Sequence, residues 1–212
     1  MDTEKINFDI SLWKNRTVAG VSVLVARNLL IQSISFVGFI FLSVFLKTWE
    51  LGVFWAVSEI IAFLGYFSDV GLAAAIIQKK GKPKKEELRA VFTFQQLLVI
   101  SLVLIAFLLT SQLEKHFDFQ NGRFLYWALL FGFFTSSLKT IPSVLLERDL
   151  RFDRLATVDL AEQIVFTGLA VLLAWQGFGT NSWTWAVLAR SLVGVILIYF
   201  LENNLLYLLF HH

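Results

Sequence analysis

Six apolar runs, each close to the thickness of a bilayer core, take up most of the chain: about 18–46, 51–69, 90–112, 124–144, 155–176 and 183–209. A helix crosses the hydrocarbon layer in about 20 residues. Lipid offers the backbone no hydrogen bonds, so a spanning segment must be a helix or a strand of a closed barrel. Long runs separated by short polar pieces are the pattern of a polytopic helical membrane protein. The expected fold class is therefore all-α: a polytopic membrane protein of about six transmembrane helices. The amino-acid usage agrees, with 57% hydrophobic and 16% charged residues against about 25% charged in soluble domains. The expected division is a polar segment 1–17 followed by a six-helix unit over 18–209. The first run is too long for a signal-peptide core of about 7–15 residues, so it reads as a retained span.

Basic residues orient these spans, because short loops rich in Lys and Arg stay in the cytoplasm. With the N-terminus inside, the inner segments hold twelve, among them Lys5, Lys79, Lys85, Arg148 and Arg154. The outer segments hold only Lys47, Lys115 and Arg123. Both termini are thus expected in the cytoplasm. Trp49, Trp55, Trp127, Trp175, Trp183 and Trp185 fall near the outer ends, as an interfacial aromatic belt would. The "SDVGLAAAIIQKK" stretch then lies at the inner end of span two. Its small residues allow close helix approach, and its lysines anchor the loop.

Charges inside the runs carry the functional signal, since each costs about 2.5–3.5 kcal/mol at the bilayer centre. Arg27 lies in span one on a polar stripe with Asn28, Gln32, Ser35, Gly38 and Ser43, a sector of about 160° at helical spacing. Such a stripe is expected to face a bundle interior or an aqueous cavity. Two readings of Arg27 stand: a cavity cation, or a structural pair with Glu59 on the neighbouring span. Asp159 and Glu162 are spaced i, i+3 and share a helix face. They read as a proton or cation site, or as partners of Arg154 or Lys139. Arg190 in span six reads as a cavity group or one that snorkels outward, and Lys139 as a cavity group or one that snorkels to the cytoplasm. As a set, Arg27, Asn28, Gln32, Lys139 and Arg190 are the candidate substrate-binding residues. Glu59, Asp159 and Glu162 are the candidate ion-coupling acids. Arginine and lysine in a dry cavity suit an anionic group such as a diphosphate, which guanidinium binds in a bidentate manner.

Other chemistry lacks its residues. The chain has no cysteine and three histidines, His116, His211 and His212, which form no metal-ligand spacing. No glycine-rich phosphate loop, H-E-x-x-H or G-x-S-x-G occurs. No enzyme activity, cofactor, metal or nucleic-acid partner is expected.

Three segments carry a family resemblance: "DVGLAAAIIQ" (69–78), "IPSVLLERDLRFDRLA" (141–156) and "GLAVLLAWQGFGTNSWTWAVLAR" (168–190). The chain from about 14 to 200 resembles the amino-terminal half of oligosaccharide flippases, the O-antigen (Wzx-type) branch of the multidrug/oligosaccharidyl-lipid/polysaccharide exporter superfamily. The motif positions are Asp69, Gly71 and Gln78, then Pro142, Arg148 and Phe152. The resemblance implies transport of polyprenyl-diphosphate-linked oligosaccharide across the cytoplasmic membrane by alternating access, with membrane lipid as the surroundings. It also implies a lobe of about six helices around a cationic cavity and a second lobe as partner, from the same chain if this one is truncated or otherwise from a dimer. Arg27 would match the cavity arginine in the first helix of related lipid flippases. The connection "FLKTWELG" between spans one and two departs from the family by being short and without proline. An ion-coupled multidrug antiporter lobe and a non-transporting scaffold of a glycan-assembly complex are the alternatives.

Overall fold

The structure, a computed structural model, describes residues 2–68, 76, 78–79, 81, 84–117, 119 and 122–201, with side chains from Gly20 onward except at Val21. Among them are eight helices and no strands: α1 (Asp2–Phe45), α2 (Thr48–Ser68), α3 (Lys85–Leu108), α4 (Thr110–Phe117), α5 (Arg123–Leu138), α6 (Thr140–Arg148), α7 (Phe152–Trp175) and α8 (Asn181–Leu201). Five are long and apolar enough to cross a membrane, α1 through its part Ser22–Phe45; α5 and α6, bent by 43° at their junction, count as a sixth when the pair is taken as one span. The all-helical membrane fold expected from the runs is therefore present. The motif positions Asp69 and Gly71, and the end of the sixth run past Leu201, lie outside the described residues.

The element boundaries have local causes. The polar segment 1–17 is helical from Asp2 and runs without a break into the first span. Span three ends at Leu108 rather than near 112, where the Thr110 hydroxyl donates back to the Phe107 carbonyl at 2.6 Å. Span four is not one straight rod. Pro142 has no N–H, so the carbonyl four residues before it, on Leu138, loses its helical donor. Tyr199 of α8 replaces that donor, its hydroxyl lying 2.9 Å from the Leu138 carbonyl. Gln95 of α3 donates to Thr140 Oγ1 at 2.9 Å and Gln96 to Ser137 Oγ at 3.1 Å. The break at Lys139 is thus clamped from two neighbouring helices.

Two helix ends close alike. After α7, Gly177 takes φ +84°, with Phe178 N–H on the Leu173 carbonyl and Gly177 N–H on that of Ala174. After α6, Arg151 N–H bonds the Leu146 carbonyl and Leu150 N–H that of Glu147, but the left-handed residue is Leu150, at φ +55°. Both are Schellman caps.

Helix α7 lies between α1 and α8; α5 packs on the far side of α8, and α2 and α3 pack on α5. Small residues set these distances. Gly38 of α1 abuts Thr167 of α7, and Gly20 abuts Phe152. Ala170, Ala174 and Ala186 are buried, and Gly132 of α5 faces Ser191 of α8. Close approach through small side chains replaces the hydrophobic drive that lipid removes. Glu50, buried at the start of α2, accepts the Lys47 N–H at 2.8 Å and fills the space beside Gly179.

One tryptophan leaves the expected belt. Trp49, Trp55, Trp127, Trp175 and Trp185 are exposed, as interfacial residues are. Trp183 is buried and stacks on Phe54 of α2, ring centres 4.0 Å apart, with Phe166 of α7 at 5.9 Å.

Candidate functional site

Charged residues from four parts of the bundle meet around α7. Helical rise is about 1.5 Å per residue, so Glu162 and Arg190 stand near the midpoints of α7 and α8.

The pairing follows from which neighbour each face of α7 meets. Asp159 faces α1, where Arg27 Nη1 donates to its Oδ2 at 2.8 Å. The structural partner weighed for Arg27, Glu59, is not the one it takes. Glu59 is exposed on α2, and α2 packs chiefly on α5, whereas α1 packs on α7. Glu162, one turn after Asp159 and offset by about 60°, faces α8 and the α5–α6 break and is buried. Lys139, at the break between α5 and α6, donates to its Oε1, and Arg190 Nε lies 3.4 Å from its Oε2. Arg154, the other partner considered for these acids, donates to the Leu201 carbonyl at 2.6 Å.

The remaining stripe residues divide. Ser35 accepts from Gln163 Nε2 at 2.9 Å and Gly38 meets Thr167, so this part faces α7. Asn28 is exposed; its Oδ1 accepts from the neighbouring Arg27, from Nη2 at 3.1 Å. Gln32 is also exposed, and the structure brings neither it nor Glu59 to the cluster.

A cavity of about 370 Å³ opens beside the cluster, lined by Lys139, Glu162 and Arg190 with Ser58, Ser136 and Ser191. A second, of about 400 Å³, shares Phe54, Phe166 and Arg190 with it and continues to Ser35, Gln163 and Gly38. Arg190 thus borders both. Its guanidinium carbon lies 5.5 Å from the centre of the Phe166 ring, a cation–π distance. Its bonds to described residues are the Nε contact to Glu162 and this ring contact, which leave the Nη1/Nη2 edge open. In charge, Arg27, Lys139 and Arg190 outnumber Asp159 and Glu162 by one.

The motif positions form a separate assembly. Arg148 Nη1 donates to the Ile76 carbonyl at 2.7 Å and Nη2 to the Lys79 carbonyl at 3.1 Å, with the Gly81 carbonyl as a further acceptor. Pro142 is buried in the broken span, Phe152 packs on Gly20, and Gln78 is exposed. Arg148 and Phe152 join elements, and none of the four lies at the charge cluster.

Residues that sequence reading passed over include Gly194, Tyr199, Gln95 and Gln96. A Cβ on Gly194 would overlap the Glu162 carboxylate and come within 2.9 Å of Lys139 Nζ, so this glycine makes the seat for the pair. Its position one turn after Arg190 was the available signal.

The sequence matches the family model of polysaccharide biosynthesis proteins over residues 41–210. The chain belongs to this family. The assignment agrees with the resemblance to Wzx-type flippases and gives the protein a role in polysaccharide synthesis or transport. No curated protein and no solved structure matches the chain.

Proposed function

We propose that this family member carries polyprenyl-diphosphate-linked oligosaccharide across the cytoplasmic membrane by alternating access, without catalysing a covalent step. The observation that carries the reading is the surplus cation Arg190. It stands at mid-helix between two cavities, with the outer edge of its guanidinium free of described partners. A fork of N–H groups in a low-dielectric site is suited to paired phosphate oxygens. Lys139 and Arg27 add positive potential on either side. The charged head of the ligand would enter these cavities at Arg190 while the prenyl chain stays in lipid. In this reading both termini are cytoplasmic, and a second helical lobe faces the open side of α1 and completes the pathway. Related transporters alternate by moving one bundle against another around a fixed site.

Complementation of a flippase-null strain by the full protein carrying Arg190→Gln tests this. Surface glycan should be lost at normal protein level, with partial return in Arg190→Lys. Normal glycan with Arg190→Gln would refute the anion role.

A further inference from the structure

We infer that Glu162 is an internal stand-in for the ligand's anionic group: it occupies the cations when the site is empty and gives up Arg190 when a diphosphate binds. This deepens the reading above and rests on it.

Three observations carry the inference. First, Glu162 is held unequally. Lys139 makes a close ion pair with Oε1, whereas Arg190 reaches Oε2 only through Nε at 3.4 Å and has its other face on Phe166. The Arg190 bond is the weaker and the exchangeable one. Second, the side-chain exposures differ in the same sense: 6% for Glu162, 16% for Lys139 and 44% for Arg190. An anion entering the cavity reaches Arg190 first. Third, Gly194 leaves a fitted seat for the Glu162 carboxylate. The carboxylate is therefore lodged at the edge of the cavity rather than folded into it.

The charged groups facing Glu162 set the consequence. Arg190 comes from α8, Lys139 from the α5–α6 break, and Asp159 with its partner Arg27 lies one turn away toward α1. At its far end α6 carries Glu147 and Arg148, and Arg148 is engaged by the 76–81 backbone. When a diphosphate draws Arg190 away, Glu162 keeps Lys139 alone and gains a nearby negative charge. Both changes favour its protonated form. Binding of the anion is thereby linked to uptake of a proton from bulk water by the Glu162 carboxylate. Reciprocally, low pH strengthens anion binding.

The test is a binding titration of the full protein in nanodiscs, using a short-chain prenyl diphosphate, inorganic pyrophosphate and the prenyl alcohol as probes. In the wild type, affinity for both diphosphates should fall as pH rises, by up to about tenfold per unit for one linked proton. In Glu162→Gln it should be about tenfold tighter and lose that pH dependence; the ligand's own titration is common to both proteins and cancels. The alcohol should show neither effect. Difference infrared spectra of the wild type should show a protonated carboxyl appearing on addition of diphosphate and not of alcohol, a readout independent of any variant's folding. Unchanged affinity and pH dependence in Glu162→Gln, or no carboxyl band in the wild type, would overturn the inference. Failure of Arg190→Gln to weaken diphosphate binding would instead overturn the anion-site reading itself.

Discussion

Leu150 is the one described non-glycine residue with positive φ. A left-handed conformation costs an L-residue about 1–2 kcal/mol. Here it is retained because the Schellman bonds of Leu150 and Arg151 close α6 and turn the chain directly into α7. Leu150→Gly should be near neutral, with relief of the backbone offsetting a lost half-buried side chain. Leu150→Val keeps the apolar character but is β-branched, and such residues avoid positive φ. It should lower stability by about 1 kcal/mol or more, read as thermal unfolding in detergent. Equal stability of Val and Leu would show that the turn is not strained. Tyr199 presents the complementary case, a side chain that answers a backbone defect. Tyr199→Phe strands the Leu138 carbonyl and should cost about 0.6 kcal/mol, the usual worth of a hydrogen bond inside a membrane. In Pro142→Ala the helix can supply its own N–H, so adding Tyr199→Phe there should cost less. A full undiminished loss in that double variant would mean that Tyr199 does not serve the proline break.

At the scale of elements, the α1–α7 seam depends on glycine at two levels, Gly20 and Gly38. Gly38→Leu would drive a side chain into Thr167. Overpacking of this kind costs about 1–3 kcal/mol, and here it should splay α1 from α7. Spin labels on the two helices should separate in Gly38→Leu and return when Thr167→Ala makes room; an unchanged distance would count against a tight seam. Much of this level was legible in the sequence. Long apolar runs leave only helices, and the missing N–H of Pro142 has the same local effect in any fold. Tertiary partners were not legible. Arg27 and Glu59 lie on consecutive spans, yet α1 packs against α7, and no periodicity within one helix states which neighbour it meets. Trp183 shows the same limit. Tryptophan near a span end usually belongs to the interface, but Phe54 and Phe166 happen to close over this one.

For the whole molecule, charge balance is a long-range constraint linking residues far apart in sequence. Arg27 and Asp159 are separated by 132 positions and hold the first span to the fifth. Removing one partner leaves an unpaired charge inside the bundle, so Arg27→Asp and Asp159→Arg should each reduce folded yield. The exchanged pair should recover most of it, with a coupling energy of about 0.5–3 kcal/mol in a double-mutant cycle on thermal stability. A swap no better than either single change would mean that the pair does not hold these helices together. The two acids of α7 also point to different neighbours: Asp159 to α1, Glu162 to Lys139 and Arg190. They are bolted to one shaft, offset by about 60° around its axis and about 4.5 Å along it. Torque on α7 from either side therefore reaches the other as rotation, so a twist that slackens the grip on α8 must also turn the grip on α1. A rotation of α7 that moved Glu162 against α8 would therefore move Asp159 against α1 as well, as a cam moves two followers.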